Sequence, residues 1–334
     1  MFELLGLSLL LAALLTFNSL ASLAMAGLWR VAGRLTRSWT AVSRARLLFS
    51  LRTLPALLAL LSVAFLVVPA YLAYEPRHSA ETVSFKLGLL ALISATGITV
   101  SIYRAVATHR ATVNLTADWL RQGKPVQITG IDIEAYQIEH TFPLIAILGF
   151  LRPRLFIASQ VLEILTAEEV AAAVAHENGH LAARDNLKSG LLQACRDALL
   201  IIPSGRLLDR AWSEASEEAA DENAARQGNG VALDLASALV KIARNIPPGA
   251  RPTMPAGVFL LGDEKTKGIK SRVRRLIALA ATERHDGSRY DVIKKLMVWL
   301  PASILLTSLV VGATSPFVLS KVHYLIEHAV FALR

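Results

Sequence analysis

Four stretches of the chain are apolar over about the 20 residues that a helix needs to cross a bilayer. Residues 4–29, 53–74, 87–103 and 296–320 carry no charged side chain, and each is expected to be a transmembrane helix, the third being the shortest. The first opens without a basic segment and is too long for a signal-peptide core, so it is read as a retained span. Between the third and fourth stretches the pattern changes. Residues 125–129, 143–148 and 154–159 are short, apolar and β-branched, and Gly149 to Pro153 between the last two reads as a hairpin connection. They predict a small antiparallel sheet. From Leu165 onward the spacing becomes helical: Thr166 and Glu169 stand as in a capping box, and an alanine-rich run continues to about Arg184. Further helices are expected over 187–202, 206–226, 231–245 and 269–281. The fold class is therefore a mainly α membrane protein with four transmembrane helices and one inserted α+β domain.

Composition and charge orient this arrangement. The 334 residues are 54% hydrophobic and only 18% charged, against about 25% charged in ordinary soluble domains, and the mean hydropathy is +0.46. The net charge of +9 raises the question of nucleic acid, but the arginines fall where a membrane protein keeps them. Arg30, Arg34, Arg37, Arg44, Arg46 and Arg52 occupy loop 30–52 with no acidic residue among them, which assigns that loop to the cytoplasm. It follows that 75–86 is an external loop, 104–295 a cytoplasmic domain and 321–334 a short external tail, with both termini outside. No nucleic acid is expected. Lys265, Lys267, Lys270, Arg272, Arg274 and Arg275 form a basic cluster suited to anionic lipid headgroups, and the one cysteine, Cys195, excludes an intrachain disulfide.

The candidate chemistry lies on the capped helix, at His176-Glu177-Asn178-Gly179-His180. Positions i and i+4 share a helix face, so both imidazoles can bind one metal ion. Glu177 beside them can take a proton from a water that zinc acidifies toward neutrality. A catalytic zinc wants three protein ligands. His109, His140 and His285 stand alone, whereas Glu214, Glu217, Glu218 and Asp221 offer carboxylates at helical spacing.

These elements carry a family resemblance. Residues 153–159, Leu165-Thr166-Ala167-Glu168-Glu169, the motif His176 to His180 with Asp185 after it, and Glu217-Glu218-Ala219-Ala220-Asp221 resemble the integral-membrane metallopeptidases of the BlaR/MecR type, as does the order of three spans before the zinc helix and one after. The resemblance implies a zincin-like (gluzincin) domain holding one Zn2+ through His176, His180 and Glu217, with Glu177 as general base and Asp221 supporting a histidine from behind. It also implies an endopeptidase of the bacterial inner membrane acting on protein or peptide substrates in regulated or signalling proteolysis, in contact with lipid and with a regulatory membrane partner. The large penicillin-binding domain of the antibiotic-sensing members has no counterpart after the fourth span. HtpX-like quality-control proteases share the zinc helix and rank second, and a non-catalytic scaffold retaining the metal is the competing class. The strand at Arg154, Leu155, Phe156, Ile157, Ala158 and Ser159 is expected to be a free sheet edge on which substrate lies extended.

Overall fold

A computed structural model describes residues 2–76, 82–128, 130–149, 152–198, 205–228, 230–246, 266–281, 303 and 307–333. Among the described residues three helical stretches are long and apolar enough to cross a membrane. The first is α1 (Phe2–Ala32). The second runs as α2 (Ala41–Ser62), a π-turn (Val63–Val67) and α3 (Val68–Tyr74), and it tolerates Pro55 in its interior. The third, α4 (Phe85–Gln122), has 38 residues, about 57 Å at 1.5 Å per residue. The spans are thus embedded in longer helices. Loop 30–52 shrinks to the few residues around a 3-10 turn at Leu35–Ser38, because Thr40 caps α2 by accepting from Ser43 N, well before the last arginine of the run, Arg52. Most of these arginines lie on helix.

The fourth expected span, 296–320, falls partly outside the described residues. Where it is described, helix α11 (Thr307–Thr314) stops, and α12 (Pro316–Ala332) leaves at 89° to it. Pro316 dictates the break, since proline cannot continue a helix but is pre-set to begin one, and Ser315 caps the new start. The expected short tail is therefore a helix. It lies along α3, burying Ile326 and Val330 against Leu9, Val63, Val67 and Tyr71, with Tyr74 Oη donating to Pro316 O and Ser84 Oγ to Leu333 O.

The inserted domain begins with a four-stranded sheet: β1 (Lys124–Val126), β2 (Ala135–Ile138), β3 (Ile145–Leu148) and β4 (Arg154–Ala158), in the order β1-β2-β4-β3. β3 and β4 form the expected hairpin, with Leu148 opposite Arg154, and Gly149 takes the φ of +97° that its turn needs. The sheet is mixed, not antiparallel: β4 inserts beside β2 and pairs with it in parallel, Ala135 opposite Leu155. Every residue of β3 is buried, which explains a continuous apolar run rather than an alternating one. Helices α5 (Ser159–Ile164), α6 (Ala167–Ala183), α7 (Asp185–Asp197), α8 (Gly205–Ala225), α9 (Val231–Asn245) and α10 (Thr266–Ala281) follow. The core joins Phe156, Leu144 and Ile145 of the sheet region to Ala172 and Ala173 of α6 and Leu235, Leu239 and Ile242 of α9. Helix α8 lies between α6 and the membrane helix α2.

Candidate metal centre

The reciprocal capping box of Thr166 and Glu169 fixes the start of α6. Lys241 and Ser237 of α9 hold the same glutamate, at 2.7 and 2.6 Å. Two and three turns later, the buried faces of His176, Glu177 and His180 point at α8. Gly179 allows the close approach: a Cβ there would lie 3.0 Å from the Ala220 backbone and 3.2 Å from its side chain. Facing the histidines, Glu217 completes a buried group in which one ligand atom from each of His176, His180 and Glu217 lies within 4.8 Å of the others. Nε2 of His176 is 3.6 Å from Glu217 Oε2, and Nε2 of His180 is 3.5 Å from Oε1.

Both imidazoles are oriented from behind. His176 Nδ1 lies 3.0 Å from Asp221 Oδ1, the supporting position expected for Asp221. His180 Nδ1 lies 2.9 Å from Asp185 Oδ2, which also accepts from Ser216 Oγ at 2.5 Å, while Lys188 donates to Oδ1 at 3.2 Å. Asp185 reaches back because Arg184 adopts the left-handed conformation, φ 55°, turning α6 into α7 within one residue. A proton on each Nδ1, directed at these carboxylates, would leave both Nε2 atoms on the side of Glu217. Two imidazoles and a carboxylate, each imidazole backed by a further carboxylate, form a donor set suited to a divalent metal ion.

Charge makes the same point. Arg272 of α10 is buried and puts Nη1 2.8 Å from Glu217 Oε2 and Nη2 2.7 Å from Asp221 Oδ1, with Nη2 also 3.3 Å from His176 Nε2. Among the described residues the carboxylates of Asp185, Glu217 and Asp221 outnumber the two fixed cations beside them, Lys188 and Arg272, a balance that favours a bound cation. Burial would raise the Glu217 carboxyl, but Arg272, His180 and His176 overcome it and hold the group at about 2. Asp221 is held well below the carboxylate range against the same burial, by Arg272 and His176. Among the described residues no cation is paired directly with Glu177. Its Oε1 is buried without a hydrogen bond, and burial, with Glu217 adding to it, pushes it up to about 8 against the pull of His180 and Arg272. A buried carboxyl with one oxygen unbonded, beside the candidate ligand atoms, is placed to exchange a proton with an incoming water.

Residues 146–246 match the family model of peptidase family M48. The matched segment starts inside β3 and ends after α9, so it takes in His176, Glu177, His180, Glu217 and Asp221 and stops short of Arg272. The matched segment, under a third of the chain, is similar to metallopeptidases of the zinc type, a family that includes the HtpX-like proteins, which the sequence reading ranked second to the BlaR/MecR type. No curated protein matches the chain.

Other expectations resolve differently. Glu218 is turned to α2 and α10 and Glu214 is exposed, so neither joins the ligand group. His140 Nδ1 accepts from Phe142 N at 3.0 Å in a loop, His109 is exposed on α4, and His285 lies outside the described residues. The strand at Arg154, Leu155, Phe156, Ile157 and Ala158, with Ser159 opening α5, is no free edge: β2 and β3 flank it, and its backbone is paired on both sides. The outer strand on the α6 side is β3, where Asn186 Nδ2 donates to Ile147 O at 2.9 Å. The basic cluster divides as well. Lys270 and Arg274 are exposed, whereas Arg272 enters the centre. Sequence reasoning assigned Arg272 to lipid and gave Asp185 no role. The one-residue link from His180's helix to Asp185 was a readable signal; the long reach to Arg272 was not. Cys195 is buried, and burial raises its thiol, an inert environment.

Proposed function

We propose that the chain is a membrane-embedded zinc endopeptidase whose centre, His176, His180 and Glu217 with Glu177 beside them, faces the cytoplasm of a bacterial cell. The observation that carries this is the buried ligand group with its two Nδ1-bound carboxylates. Zinc held there supplies Lewis acidity, polarising a peptide carbonyl and acidifying water. The chain's own residues do the rest. Glu177 accepts the proton of the water that attacks the carbonyl carbon, then gives it to the amide nitrogen as the C–N bond breaks. Asp221 and Asp185 keep each imidazole in the tautomer that leaves Nε2 free for metal. Arg272 of α10 steadies Glu217 and Asp221 while lying beside His176. The M48 match puts HtpX-like turnover of membrane proteins on the same footing as regulated signalling proteolysis. The arginines around α2 favour an inward-facing domain.

The test uses full-length protein in detergent with zinc and a quenched fluorescent unfolded protein as substrate. Wild type should cleave it, a chelator should stop cleavage and added zinc restore it, and Glu177→Gln should be inactive while retaining metal. Equal cleavage by Glu177→Gln and wild type would remove the mechanism.

A further inference from the structure

Helix α8 carries two pairs of carboxylates one residue apart. Glu217 and Asp221 face the metal centre. Glu218 and Glu222 lie about 100° further round the helix and leave it. Glu218 pairs with Arg44 of α2 and with Arg275 of α10. Glu222 accepts from the Ala41 backbone N–H at the start of α2, at 3.3 Å to each oxygen, pairs with Arg275 at 2.5 Å, and has Arg226 at 3.8 Å. Further along the antiparallel seam, Arg52 of α2 binds Asp209 of α8 at 2.9 Å, with Arg196 3.8 Å away. Between these polar ends Ala45 and Leu48 pack on Leu208, Trp212 and Ala215. The helix that runs on into the second candidate span is therefore fastened, at its first turn, to the residue adjoining the third metal ligand.

We propose that Arg44 is a positioning residue for the metal centre: by pulling Glu218 toward α2 against Arg275 on α10, it sets the rotation of α8 about its axis and so aims Glu217 at His176 and His180. The inference rests on the zinc reading above and adds to it the residue by which the membrane helix holds the centre. A carboxylate stands roughly 6 Å from its helix axis, so a 20° turn of α8 would move Glu217 by about 2 Å, which is the length of a zinc–oxygen bond. Losing Arg44 does not strand Glu218, which keeps Arg275. It makes the opposing pulls unequal, while the apolar seam and the Arg52–Asp209 pair keep α2 and α8 together.

The experiment measures zinc affinity of full-length protein in detergent by competition with a chelating dye, together with kcat and KM. Arg44→Ala should weaken zinc about 10- to 100-fold, as loss of an orienting partner does, and lower kcat more than it raises KM at limiting zinc. Arg44→Lys, which keeps the charge, should recover most of the affinity. Arg46→Ala removes the same charge from an exposed site on the same helix and should match wild type. If Arg44→Ala does not fold, Glu218→Gln carries the same expectation. Wild-type zinc affinity in Arg44→Ala or in Glu218→Gln would overturn the proposal, and so would an equal loss in Arg46→Ala. His180→Ala, run alongside, separates the two readings: if it keeps its zinc, the zinc centre itself fails, and if it loses zinc while Arg44→Ala does not, only the positioning role fails.

Discussion

Glu177 is buried where its neighbours are committed to each other, and that isolation suits it to proton transfer. Replacing it with glutamine keeps the shape and removes the acceptor, so turnover should fall by at least the 10²- to 10⁴-fold typical of a general base, with zinc content unchanged by metal analysis. The same residue sets a pH dependence in metal-free protein. Its folded value of about 8 lies above the ordinary 4.5, so the folded state holds a proton that the unfolded chain has released. Its contribution to stability is fully present below about pH 4.5 and is lost as pH rises through 8. Denaturant melts of apo protein at pH 5, 6, 7 and 8 should show that decline, and Glu177→Gln should flatten it; an identical slope in both would show that Glu177 is not the group responsible. Arg272 acts in the opposite sense. Arg272→Ala leaves Glu217 and Asp221 without their shared cation, a loss of about 3–5 kcal/mol for a broken buried pair, and calorimetry should find it largest in apo protein, where no divalent ion offsets it.

At the scale of elements, the geometry depends on how closely α6 meets α8. A side chain at Gly179 would meet Ala220 and, at 3.3 Å, Asn223, so Gly179→Val should push the helices apart, separate Glu217 from the histidines and abolish zinc binding. Retention of stoichiometric zinc by that variant would show that the helices can yield. The zinc helix was legible in the sequence because its signals are local: a cap three residues from its glutamate, and histidines one turn apart. Glu217 and Asp221 were legible only by resemblance, since helical spacing alone also admitted Glu214 and Glu218; what separates them is which face meets α6 and which meets α2, a tertiary fact. β2 escaped because four residues, Ala-Tyr-Gln-Ile, give no pattern. Without it the parallel pairing that makes β4 an inner strand was invisible, and with it went the expected substrate edge. The α12 helix was signalled by Ser315-Pro316, a cap followed by proline at the first helical position, but that signal lay within an apolar run read as one continuous span.

For the whole molecule, α2 ties the candidate metal centre to the candidate membrane helices. Orientation can be read by cysteine labelling in a Cys195→Ala background. A cysteine at Ser38, in the 3-10 turn, should resist an impermeant external reagent, and one at position 79, outside the described residues, should react; the reverse result would turn the domain to the other side of the membrane. The centre itself is tested most directly by the metal content of purified full-length protein. Wild type and Glu177→Gln should each carry about one zinc per chain, as a three-ligand site requires, and His180→Ala and Glu217→Ala should carry almost none. Zinc retained at wild-type level in His180→Ala would contradict the account.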